Sequence, residues 1–139
     1  MLNKEEIILL FLEDPKKLAD EIRKGNILKS DEIRTLICEL GDPRCAYRYA
    51  INVDTKPTDE IRAACCKDPT EAYYYARLID NSPHPDTRQA ACKDPWCAYW
   101  YAYHVDKSPH PDTRQAVQNN SHWKEEYEEW EKECLLKKT

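Results

Sequence analysis

A stretch of about 26 residues recurs along this chain, and that repeat constrains the fold more than any other feature. Asp42, Asp68 and Asp94 stand in register, as do Ala46/Ala72/Ala98, Tyr47/Tyr73/Tyr99, Tyr49/Tyr75/Tyr101 and Ala50/Ala76/Ala102. The register continues through Val53/Ile79/Val105, Asp54/Asp80/Asp106 and Pro57/Pro83/Pro109, then Arg62/Arg88/Arg114. A degenerate earlier copy runs from Asp14-Pro15 to Arg34, and a fifth begins near Asn120 and turns into one acidic segment.

Each copy reads as two short helices. Asp-Pro announces the first, an acceptor at N-cap followed by a proline whose missing N–H costs nothing there. Ala46, Tyr49, Ala50 and Val53 then fall on one helical face. The second helix starts after Ser30, Thr58, His84 or His110, which occupy one aligned position. Helices are therefore predicted over 3–13, 15–24, 31–40, 43–53, 58–66, 69–79, 85–92, 95–105, 111–118 and 122–136. The alanines should be buried together, with Tyr47, Tyr73 and Tyr99 filling the flanks between copies.

Helix pairs this short cannot bury their apolar stripes alone, so they must stack. The expected fold is all-α, a right- or left-handed α-solenoid forming one domain over 1–139. Its parts are a cap helix (1–13), four copies (14–41, 42–67, 68–93, 94–119) and a closing cap helix (120–139). In the closing helix Trp123, Tyr127, Trp130 and Cys134 form one stripe, with Glu125, Glu126, Glu128 and Glu129 off it.

Composition agrees. Gly25 and Gly41 are the only glycines among 139 residues, too few for β-hairpins or for phosphate-cradling loops. Seven cysteines, an odd number without a Cys-x-x-Cys, read as small core residues in a reducing compartment rather than as disulfides or metal ligands. The Met1–Leu12 segment is too short and acidic for a signal peptide, and no apolar run could span a membrane. A soluble, cytoplasmic protein is expected.

Pro-Asp-Thr-Arg-Gln-Ala-Ala (85–91) and Asp-Glu-Ile-Arg-Ala-Ala (59–64) resemble the second-helix signature of HEAT-like repeats, over about three quarters of the chain. The Asp-Pro-x-x-Ala-Tyr-x-Tyr-Ala motif also resembles repeats of uncharacterised phage and prophage proteins. The resemblance implies a helical array in which an Asp/Arg pair recurs, and host cytoplasm for a phage-encoded chain.

Arg34, Arg62, Arg88 and Arg114 recur with Asp54, Asp80 and Asp106, so a ladder of ion pairs is expected over a row of phosphate-binding arginines. Nucleic acid is the alternative ligand, since Tyr, Trp and Arg stack on bases. Charge opposes it: the chain holds 26 acidic and 21 basic side chains, net −5, and no segment is basic. His84, His104, His110 and His122 form no HExxH and sit at no ligand spacing with cysteine; His84 with Cys92, or His104 with Cys97, would meet only through tertiary folding. No catalytic residue, metal site or cofactor is expected.

A protein-interaction module remains, extended by the phage-like resemblance to an inhibitor of a bacterial enzyme or defence complex. The positions at which the copies differ mark its partner face. They read 44, 48 and 51 in one copy, Thr70, Tyr74 and Arg77 in the next, and Trp96, Trp100 and Tyr103 in the third. Tyr74, Arg77, Trp96, Trp100 and Tyr103 are the candidate partner-binding residues. The competing expectation is that neighbouring helices, with Trp123 and Trp130, cover them.

Overall fold

The Asp-Pro pairs act as the sequence suggests. In the computed structural model, which describes residues 1–138, Asp42 accepts hydrogen bonds from the Arg44 and Cys45 amides, Asp68 from those of Thr70 and Glu71, and Asp94 from that of Cys97. Each is followed by proline at the first helical position. Second helices open on Ser30, Thr58, His84 and His110, every one of which caps with its side chain. The two histidines do so through Nδ1, which accepts the amide two residues on at 3.1 Å.

Among the described residues the chain is all-helical, with ten α-helices and no named strand; Leu2 and Ile27 form one isolated bridge. The helices are α1 (Lys4–Glu13), α2 (Pro15–Arg23), α3 (Asp31–Leu40), α4 (Pro43–Tyr49), α5 (Asp59–Cys65), α6 (Pro69–Tyr75), α7 (Pro85–Ala91), α8 (Pro95–Tyr101), α9 (Pro111–Ala116) and α10 (Ser121–Lys137).

One local feature departs from the expected helices. Where single helices over 43–53, 69–79 and 95–105 were predicted, α4, α6 and α8 each run on into a π-helical turn: Ala50–Asp54, Ala76–Asp80 and Ala102–Asp106. The first closes on the Thr55 amide, which donates to the Ala50 carbonyl five residues back at 2.8 Å. Each turn ends on a left-handed residue, Thr55 (φ 59°), Asn81 (φ 52°) or Lys107 (φ 58°). Left-handed stops usually fall to glycine, which this chain barely contains.

The helices fall into two compact units, Met1–Lys67 and Asp68–Thr139. In the first, α2 packs beside α4, while α1, α3 and α5 follow one another in a second row. In the second, α6, α8 and α10 make one row, and α7 and α9 the other. Small residues allow this spacing: Ala46, Ala50, Ala72, Ala76, Ala98 and Ala102 have no exposed surface. Tyr47, Tyr73 and Tyr99 are buried beside them.

α10 is amphipathic in the expected sense. Tyr127 and Trp130 are buried, Trp123 and Cys134 half-buried, and Glu125, Glu126, Glu128 and Glu129 exposed. Tyr127 and Trp130 join Ala98, Tyr99, Ala102 and Val117 in one apolar cluster. No helix of the described residues is long and apolar enough to cross a membrane.

Candidate interaction face

Two polar contacts recur along the repeat. The first is an arginine ladder. Arg34 donates from Nε to Asp54 at 2.6 Å and from Nη2 at 2.8 Å, and Arg88 binds Asp106 in the same two-pronged way at 3.1 and 2.6 Å. Asp54 is 2 % exposed. Arg114 grips Glu131 of α10 instead of an aspartate. Arg62 binds Asp59 at 2.6 Å. Carboxylates thus occupy these guanidinium forks, as the ladder expectation required, and raise the pKa of Arg34, Arg88 and Arg114. That a carboxylate holds Arg114 follows the expectation; that the acid is Glu131 did not show in the sequence, because the aspartate series ends at Asp106.

The second contact also escaped the sequence. Tyr49, Tyr101 and Tyr127 are fully buried, yet each phenol reaches the cap of a preceding second helix. The Tyr49 oxygen accepts the Ser30 amide at 3.1 Å and donates to backbone carbonyls of Leu28 and Ser30. Tyr101 and Tyr127 accept the amides of His84 and His110, each at 3.1 Å, and meet the hydroxyls of Thr87 and Thr113 at 2.8 Å. Burial raises the pKa of all three phenols, which keeps them neutral donors. The recurrence of tyrosine was visible; that its hydroxyl tied copies together was not.

The candidate partner residues use neither contact. They gather in the Asp68–Thr139 unit. Trp96 and Trp100 are half-buried on α8, and Tyr103, in the π turn that follows, is 43 % exposed. Trp96 meets the Tyr73 ring edge-on at 5.8 Å, and Tyr74 packs on the same cluster. Trp100 carries the His104 ring stacked on it, centroids 5.1 Å apart and 16° from parallel. Arg77 is exposed and donates from Nη1 to the Tyr73 hydroxyl at 2.9 Å. The closing helix covers part of this face: Trp123 lies 6.4 Å from Trp100, and Trp130 lies 5.8 Å from Tyr103. The tryptophans are partly packed and partly open.

His104 belongs to this face although it was not among the candidates. Burial lowers its pKa, and the nearby Arg77 charge adds to the effect. A shallow pocket of about 180 Å³ lies between Arg77, Asn81, Ser82, His104 and Lys107. His104 is one position beyond Tyr103, so the stripe at i, i+4, i+7 passed it by.

Four of the seven thiols are poor nucleophiles. Burial pushes Cys38, Cys45 and Cys97 up to about 12 and Cys92 up to about 11. Cys97 faces the Thr70 hydroxyl at 3.7 Å, and His84 is engaged in capping. Among the described residues no three His, Cys, Asp or Glu side chains converge as metal ligands would.

Scans against protein-family models, curated proteins and solved structures each returned no match to this chain.

Proposed function

We propose that this chain is a helical-repeat protein, an α-solenoid of four copies between two cap helices, that binds another protein and catalyses no reaction. The observation that carries the reading is the aromatic face of α8. Trp96, Trp100 and Tyr103 remain partly open while every recurring polar contact is satisfied elsewhere. Large aromatics that are neither fully packed nor isolated suit the centre of a protein interface. The acidic balance and the carboxylate-filled arginines argue against nucleic acid as the main ligand. The resemblance to phage repeats extends the reading to a phage-encoded inhibitor of a bacterial enzyme or defence complex, acting in the host cytoplasm.

Trp96→Ala and Trp100→Ala test this, each measured for thermal stability and for capture of partners from host lysate. Lost capture with an intact melt supports the interface. A collapsed melt places the tryptophans in the core and removes the reading's support. A low-salt gel shift with single- and double-stranded DNA is the counter-test: tight, salt-sensitive binding would favour nucleic acid.

A further inference from the structure

The Met1–Lys67 unit carries a cluster of cations that the fold does not use. The outward positions of α4 are Arg44 and Arg48, and their counterparts on α2, counted from the Asp14 cap, are Lys16, Asp20 and Arg23. Together with Ala19 these five line a pocket of about 160 Å³. Four of the six lining residues are basic and one is acidic.

That single acid is already engaged. Asp20 accepts from Arg23 at 2.7 and 3.1 Å and pairs with Lys24 at 3.0 Å, which lowers its pKa. Among the described residues, Lys16, Arg44 and Arg48 pair with no carboxylate. The contrast with Arg34, Arg62, Arg88 and Arg114 is sharp, since each of those is held by an acid.

Placement adds a second argument. Lys16 and Arg44 stand in the first turns of α2 and α4. The macrodipole favours acids there, so these cations gain nothing for their own helices. Arg48 is steadied by the Tyr47 ring, 5.8 Å below its guanidinium, which directs the group without neutralising it. Like charges gathered around a concave surface raise each other's energy, and an anionic ligand relieves that.

We propose that this pocket receives an acidic segment of a protein partner, one or two carboxylate side chains meeting Arg44, Arg48 and Lys16. The proposal rests on the reading of this chain as a protein-interaction module, and adds a contact of its own within the Met1–Lys67 unit. Carboxylates suit it better than a nucleic-acid backbone. Asp20 lies within the pocket and the chain is net acidic, so a polyanion running past the pocket meets repulsion that a short acidic segment avoids. Guanidinium forks match carboxylates in pairs.

Fluorescein-labelled hexaglutamate, titrated against the full chain in low salt and followed by anisotropy, tests the site. Saturable binding is expected, weakened at least about tenfold in the Arg44→Glu/Arg48→Glu double variant and reduced to a smaller degree by Arg44→Gln. Both variants should keep the wild-type melt; if the double variant unfolds, Arg44→Gln decides. Failure to bind, equal binding by a folded variant, or tighter binding of labelled oligo-dT at the same ionic strength overturns the proposal. The assay needs no natural partner and leaves Trp100 untouched. Its failure is thus distinguishable from failure of the tryptophan capture experiment, which would overturn the interaction reading itself.

Discussion

The buried phenol of Tyr101 stands 2.8 Å from the hydroxyl of Thr87, and both groups converge on the backbone of His84. This joins α8 to the first turn of α7, so a core tyrosine doubles as a cap for another helix. Tyr127 and Thr113 repeat the arrangement at His110.

Tyr101→Phe keeps the ring and removes the oxygen, leaving the His84 amide without its acceptor, while the Thr87 hydroxyl keeps its bond to the His84 carbonyl. Stability should fall by about 1–3 kcal/mol, the usual cost of stranding buried polar groups. Chemical denaturation checks this. An unchanged midpoint would show that the phenol contributes only its ring.

Arg88→Ala should cost more than Arg88→Lys. The alanine leaves Asp106, whose side chain is 5 % exposed, as a nearly buried carboxylate without its fork. A loss of about 2–4 kcal/mol is expected, with lysine restoring part of it as a point charge. The double change Arg88→Ala/Asp106→Ala should cost less than the two single alanine changes added together, and a double loss equal to that sum would exclude coupling.

His104 sets a pH dependence whose sign follows from its lowered pKa. The folded state disfavours the protonated imidazole, because the ring is partly buried on Trp100 beside Arg77. Its contribution is therefore fully present above the ordinary histidine value of 6.5. It is lost as pH falls through the lower folded value. Melting temperatures measured between neutral and mildly acidic pH should drop less in His104→Gln than in wild type. Parallel pH curves would contradict this.

Thr55→Gly should stabilise the protein by about 1 kcal/mol, since a β-branched residue at positive φ carries strain that glycine relieves. Asn81→Gly should change little, because asparagine tolerates that conformation. Paired thermal melts would separate the two.

Much of this architecture was legible because the repeat forces it. The Asp-Pro caps, the buried alanines and the Arg–carboxylate ladder each combine a residue type with a fixed offset, and such offsets survive in one dimension. What stayed hidden required geometry. The π turns leave no residue signature of their own: Ala50–Asp54 carries the same apolar pattern that an α-helix would. The tyrosine hydroxyl acts across 17 residues on a backbone amide, and a backbone amide has no letter. For the candidate face, the variable positions did lead to Trp96, Trp100 and Tyr103. His104 joined them only once neighbouring helices were in place, and the separate cation pocket of α2 and α4 in the Met1–Lys67 unit likewise needed the packed helices to be seen.

The π turn has one more consequence, visible in two spacings. The tyrosine that latches a cap lies 17 residues beyond it both for Tyr101 on His84 and for Tyr127 on His110. The carboxylate that closes the ladder lies 18 residues beyond Arg88 but 17 beyond Arg114. Between latch and rung, α8 continues into a π turn, whereas α10 runs on as a plain α-helix. The wide turn absorbs one additional residue and delivers the acid to the same kind of contact. Length is therefore a variable this architecture accepts: a copy can gain or lose one residue after its tyrosine and still close both joints.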